Sequence, residues 1–254
     1  MEHLLRATAR AEARHFWFRG FRSFVTPLIA QAADGRSDLR LLDAGCGTGA
    51  NVELLQRFGR GFGFDLSETG VRLGREAGRT RLARATVTAA PFPSGAFDVV
   101  TSFDVLYSLQ DDAERAALRE MYRLLRPGGY AVISVAAMEM LRGDHSVLGR
   151  EVRRYSRDVL RNHVTGAGFT VVRLTYAFAT LFVPLAVLRA WQRRRGLVRE
   201  DDARAQNEIS VPSAPVNALL AGALRLEAAW LRRFDVPFGS SLLCVARKPT
   251  AART

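Results

Sequence analysis

Apolar and polar positions along the chain alternate between two periods. Short apolar runs predict strands near 39–43, 60–65, 83–88, 97–102 and 130–136, and apolar residues recurring three and four apart predict helices near 48–57, 67–77 and 111–125. Strand and helix in turn, with strands that read as continuous apolar runs, is the pattern of an α/β chain with a buried parallel sheet. Residues 3–33 read as an entry helical stretch, and Ser156 to Ala167 as another helix, opening at Ser156 with Asp158 in its first turn and closing at Gly166 or Gly168. Phe169 to Tyr176 supplies a strand whose hairpin partner is Ser240 to Arg247. That pairing leaves residues 178–237 where a minimal fold would turn tightly, and an excursion of this length is expected to carry substrate identity. Within it, 196–204 reads as a charged loop, and Pro215 to Phe234 as an amphipathic helix with Leu219, Leu220, Leu224, Leu226 and Leu231 on its packing face.

The 254 residues suit one domain with an elaboration: entry helices over 1–36, a core over 37–177, a helical insertion or lid over 178–237, and a last strand and tail over 238–254. A net charge of +12 invites a polyanion partner, but all but one of the 37 basic residues are Arg, Lys248 being the exception. That skew reads first as the signature of a GC-rich genome, with local clusters still able to meet a membrane or a phosphate. Cys46 and Cys244 have neither disulfide nor metal-ligand spacing, so no metal site is expected. The polar, Arg-interrupted start is not that of a signal peptide, and the expected compartment is the cytoplasm.

The chemistry concentrates after the first strand. Leu41-Leu42-Asp43-Ala44-Gly45-Cys46-Gly47-Thr48-Gly49 sets alternate glycines where a backbone must turn tightly and approach a ligand. Asp65, 22 residues after Asp43 at the tip of the next strand, is positioned for ribose hydroxyls. The same glycines satisfy a dinucleotide fingerprint, but Asp43 would sit badly beside a pyrophosphate and well beside an ammonium group. S-adenosylmethionine has that ammonium and no phosphate. With Ala90-Pro91-Phe92-Pro93 through Phe97-Asp98-Val99-Val100, and Leu124-Leu125-Arg126-Pro127-Gly128-Gly129-Tyr130, the stretch from about 39 to about 135 resembles the class I S-adenosylmethionine-dependent methyltransferases.

The resemblance implies a Rossmann-like seven-stranded sheet, mostly parallel, with an antiparallel C-terminal hairpin strand and a helical insertion before it. It implies that Asp43 and the backbone of Gly45, Cys46, Gly47 and Gly49 hold the methionine end of the cofactor. Asp65 takes the ribose, Leu66 and Val87 border the adenosine, and Asp104 closes the site at the end of the fourth strand. Two positions depart from the family. Thr86 stands where an acid often contacts adenine, and Ser108 where a histidine is common, so no histidine base is inferred there. The segments His15-Phe16-Trp17-Phe18-Arg19-Gly20, Asp144 to Gly149, Val152-Arg153-Arg154-Tyr155 and Pro237 to Ser241 resemble a bacterial subgroup of poorly defined substrate, with Glu151 where a histidine commonly stands near Arg-Arg-Tyr.

The sulfonium methyl is already activated, so alignment and exclusion of water matter more than a base. The proton acceptors or relays near the strand tips are Asp104, Tyr107 and His145, with Glu151 beside them. Arg153, Arg154 and Tyr155 could hold an anionic acceptor or form a helix-entry cluster. The insertion opens with 15 residues without a charge between Arg173 and Arg189, then Trp191 and Arg193, Arg194 and Arg195. This is too short to span a bilayer, and an interfacial helix and a lid helix fit it equally. The expected acceptor is a small or amphiphilic, lipid-linked molecule, with peripheral contact between 178–195 and the inner face of an anionic membrane as a further expectation. The alternatives are a non-enzymatic S-adenosylmethionine-binding or scaffolding protein and, disfavoured by the lack of an Asn-Pro-Pro-Tyr-like tetrad, a nucleic-acid methyltransferase.

Overall fold

The computed structural model describes residues 2–197 and 210–250. Its chain order is α1 (Glu2–Ala11), α2 (Phe16–Ala33), β1 (Leu39–Ala44), α3 (Ala50–Leu55), β2 (Gly59–Asp65), α4 (Glu68–Glu76), β3 (Leu82–Arg84), β4 (Phe97–Phe103), α5 (Asp111–Leu124) and β5 (Leu125–Ala136). There follow α6 (Asp144–Leu148), α7 (Arg157–Gly166), β6 (Thr170–Ala177), α8 (Phe182–Arg194), α9 (Ala214–Leu231) and β7 (Ser241–Arg247). The seven strands lie in the order β3-β2-β1-β4-β5-β7-β6. Strands β1 to β5 are parallel, and β7 runs antiparallel between β5 and β6.

The strands expected from apolar runs form, because Leu39, Leu41, Leu42, Val99, Val100, Val132 and Ile133 are covered on both faces of the sheet. One face packs against α5 and α7, the other against α2, α3 and α9. The expected helix over 3–33 is instead two. The chain turns at 12–15, and His15 caps α2 by accepting the N–H of Trp17 at 3.1 Å. The expected strand 83–88 is cut to three residues at the sheet edge, and β5 begins at Leu125 rather than near 130, with an irregular register opposite Phe97 to Val99. The charged loop expected over 196–204 lies mostly outside the described residues.

The inserted segment packs onto the entry helix. Gly20 of α2 meets Leu224 of α9 where an added Cβ would collide with the leucine side chain. Asn217 of α9 accepts the N–H of Phe16 at 2.7 Å and donates to the carbonyl of Arg14 at 2.9 Å. Trp17 stacks on Phe178 with ring centroids 4.1 Å apart, and Phe178 is fully buried at φ 61°, at the corner where the chain leaves β6.

Candidate active site

The carboxyl ends of β1 and β4 open onto a cavity of about 440 Å3. Ligands of open parallel sheets bind at this edge, where the strand order reverses between β1 and β4. Its floor is the turn after β1, with Gly45, Gly47 and Gly49 at φ 84°, 56° and 82°. Gly45 has a second reason to lack a side chain, since a Cβ there would strike Val105. Gly45, Cys46, Gly47 and Thr48 line the cavity, whereas Gly49 caps α3 behind it, against Leu82.

Asp43 is buried behind this turn rather than in the cavity wall. One oxygen accepts from Thr101 Oγ1 at 2.6 Å, and Oδ2 has no partner among the described residues. Burial, opposed by the Thr101 hydrogen bond and helped by the Asp65 charge, raises its pKa to about 7. An unsatisfied carboxylate beside a backbone stripped of Cβ atoms fits a cofactor bearing an ammonium. Asp65 ends β2, but its oxygens already accept the N–H of Gly47 at 2.7 Å and of Ser67 at 2.8 Å, so it holds the turn's shape. Asp65, the 67% exposed Leu66 and the half-buried Val87 lie outside the cavity wall.

The roof comes from the N-terminal helix, whose role the sequence reading missed. Leu5, Thr8 and Glu12 line the cavity opposite the glycine turn. The buried Glu12 carboxylate accepts from Thr48 Oγ1 at 2.6 Å and pairs with Arg79 at 2.6 Å, while Arg79 also reaches the Thr48 carbonyl at 3.0 Å and Glu53 at 2.9 Å. Phe18 and Phe21 from α2 and Phe103 from β4 make an apolar wall, and Leu185 and Arg189 of α8 close the far side.

Asp104, Tyr107, His145, Glu151 and Arg154 meet at this wall. Asp104 is open to the cavity, holds a left-handed φ of 58°, and accepts from Ser134 Oγ at 2.9 Å. The surrounding protein raises its carboxyl to about 6, with the Ser134 hydrogen bond and the Arg154 charge opposing and Glu151 assisting. Such a group is ionised at neutral pH and able to take a proton. Burial, with the charges of Asp104 and Glu151, lifts the Tyr107 phenol well above its ordinary range, making it a hydrogen-bond donor rather than a base. His145 comes from α6 and is half-buried. Both Glu151 oxygens are taken by Arg154, at 2.9 and 3.0 Å, a buried fork that fixes the wall.

Two readings that the sequence left open narrow here. Arg153 turns away to Glu114, Asp111 and the Leu109 carbonyl, and Tyr155 is fully buried in the core, so neither lines the cavity. Arg189, Arg193 and Arg195 are not directed outward as a set. Arg189 bonds Gln192 at 2.7 Å, Arg193 holds the carbonyls of Met140 and Arg142 at 2.7 and 2.8 Å, and Arg195 pairs with Asp144 at 2.6 Å. Cys46 and Cys244 are free and buried, and burial pushes the Cys244 thiol up to about 12. Among the described residues no His, Cys, Asp and Glu group could hold a metal ion.

The sheet order and the cavity at the carboxyl ends of β1 and β4 define a Rossmann-like fold, and comparison with known proteins narrows it. Residues 42–133 match the methyltransferase domain family. The chain is 27% identical over 145 residues to the ubiquinone/menaquinone biosynthesis C-methyltransferase UbiE of Shewanella halifaxensis, covering 51% of this chain and 54% of that one. It is 30% identical over 174 residues to the malonyl-[acyl-carrier protein] O-methyltransferase of Enterobacter lignolyticus, covering 62% and 64%. The chain spans about half the length of the first curated relatives it matches. A methyltransferase structure from Thermotoga maritima shares the fold, with TM-score 0.57 and 17% identity over 96% of this chain and 98% of that one. Residues 42–133 thus carry a methyltransferase domain, in a chain similar to S-adenosylmethionine-dependent methyltransferases and sharing their fold.

Proposed function

We propose that this protein transfers a methyl group from S-adenosylmethionine to a small or amphiphilic acceptor held against Phe18, Phe21 and Phe103. The observation that carries this reading is a single cavity joining the glycine turn to Asp104 and the aromatic wall. When bound, the cofactor supplies an activated methyl group. Asp43 and the turn at Gly45 and Gly47 hold its methionine end, Asp65 serves the ribose while keeping the turn closed, and Leu66 and Val87 border the adenosine. The helix α1 and the Phe18, Phe21 and Phe103 side chains exclude water and align the acceptor. Asp104 takes the acceptor's proton or clamps its donor group, with Tyr107 donating a hydrogen bond and His145 within the same wall.

The name of one relative, a ubiquinone/menaquinone biosynthesis C-methyltransferase, supports an acceptor with an apolar body. An apolar acceptor also motivates peripheral contact with an anionic membrane through 178–195, from the cytoplasmic side. No helix of the described residues is long and apolar enough to cross a bilayer, and α8 lines the cavity with one face while exposing the other. The test is methyl-labelled S-adenosylmethionine incubated with the purified chain and fractionated cell extract. Label entering lipid or small-molecule fractions is expected. Label in nucleic acid, or cofactor binding with no transfer to any fraction, would overturn the reading.

A further inference from the structure

The helices α8 and α9 each carry a second apolar face that no described residue covers. On α8, Val183, Val187, Leu188 and Trp191 are 43–67% exposed, on the side away from the cavity. On α9, Leu219, Leu226 and Trp230 are 60–75% exposed, and Phe234 just beyond is 51% exposed. Their spacing of seven, four and four residues sets them in one stripe. It is distinct from the face that Leu224, Ala228 and Leu231 bury against α2. Glu227, between Leu226 and Trp230, accepts the N–H groups of Ala179 and Thr180 at 2.8 and 2.9 Å, which fastens the approach to α8 onto α9. Phe182 at the start of α8 meets the edge of Phe238 at 5.3 Å. A stripe of this kind on each of two helices exceeds the scattered exposed side chains of an ordinary monomer.

Charge identifies what covers it. Arg225, Arg232 and Arg233 flank the α9 stripe, and Arg194 ends the α8 face. All four are exposed, and none forms an ion pair with a described residue. Some surface arginines elsewhere are compensated, as in Arg36–Asp98, Arg72–Glu76, Arg84–Glu68 and Arg126–Asp98, and others such as Arg57 and Arg119 are not, so it is the position of these four beside an apolar face that matters. A second copy packed stripe to stripe would bring these cations together, whereas an anionic surface neutralises them. We propose that α9, together with the exposed face of α8, docks the protein on an anionic lipid bilayer, with Leu219, Leu226, Trp230 and Phe234 entering the acyl boundary and Arg225, Arg232 and Arg233 at the headgroups. The cationic contribution thus belongs mainly to α9, with Arg194 added from α8, since Arg193 is held by the Met140 and Arg142 carbonyls and Arg195 by Asp144. The inference draws on the methyl-transfer reading only for the direction from which an acceptor arrives.

The test is co-sedimentation of the full chain with phosphatidylglycerol-containing vesicles and with vesicles of phosphatidylcholine alone. It is read without turnover, so its failure and a failure of methyl transfer are separate results. Binding is expected only with the anionic vesicles, weakening as salt rises. The variant R225Q/R232Q/R233Q should bind on the order of a hundredfold more weakly, at roughly 1 kcal/mol per cation. Leu219→Glu with Leu226→Glu should abolish binding while cofactor affinity, measured by calorimetry, is unchanged and reports an intact fold. Brominated acyl chains should quench Trp230 in a Trp191→Phe background. Protein left in the supernatant at low salt, wild-type binding by the arginine variant, or a solution dimer that the leucine substitutions dissociate would each overturn the proposal.

Discussion

Asp43 has one oxygen on Thr101, the other on nothing, and a pKa raised to about 7. The unfolded chain ionises this group near its ordinary 3.8, so folding grows costlier as pH rises from there to about 7. Asp43→Asn should therefore raise the melting temperature of the cofactor-free protein at pH 8 by a few degrees while weakening the cofactor, as thermal melts and calorimetry can check. An ammonium beside the carboxylate favours its ionised form. Cofactor binding should then release about one proton below the raised pKa and almost none well above it. Calorimetry in buffers of different ionisation enthalpy reads this release, and heats that ignore the buffer at pH 6 would refute it. Asp104 makes a different prediction, because its pKa of about 6 sits in a cavity wall. Turnover should rise with pH through about 6, and Asp104→Asn should lower it by roughly 10²–10⁴ and flatten that limb, with cofactor affinity retained. Lost cofactor affinity would make Asp104 a clamp on the cofactor instead. These two acids are legible in the sequence because local spacing after a strand dictates where they stand.

At the scale of elements, α1 is a roof held by one buried carboxylate. Glu12 joins it to Thr48 in the cofactor turn and to Arg79 beyond α4. Glu12→Gln keeps the size and loses the charge, so the cofactor should dissociate at least about tenfold faster in stopped-flow displacement, charged hydrogen bonds contributing roughly 1.5–3 kcal/mol. An unchanged rate would mean that α1 does not limit exit. None of this was legible in the sequence, where 3–33 has a continuous helical pattern. The break at 12–15 is fixed from far along the chain, by Thr48, Arg79 and the Asn217 side chain that takes the N–H of Phe16. The strands were legible because burial on both faces writes itself as a run of Leu, Val and Ile. The exception is β3, an edge strand whose residues after Arg84 lack a partner on one side.

Across the whole molecule, the candidate cofactor motifs, α1 apart, lie in one stretch from β1 to β5, and so could be read in order. The acceptor half could not, because its wall is gathered from α2, the β4 tip, α6 and α8. Contacts between chain ends hold it together: Trp17 on Phe178, Gly20 against Leu224, Asn217 over the start of α2. On the proposed reading, acceptor preference is therefore not a cassette that recombination can exchange at a single locus. A chimera receiving a relative's residues 178–237 alone inherits a mismatched seam at α2, and should melt lower than one that also receives residues 1–36. Two distant stretches of sequence must drift in concert for such an enzyme to acquire a new acceptor.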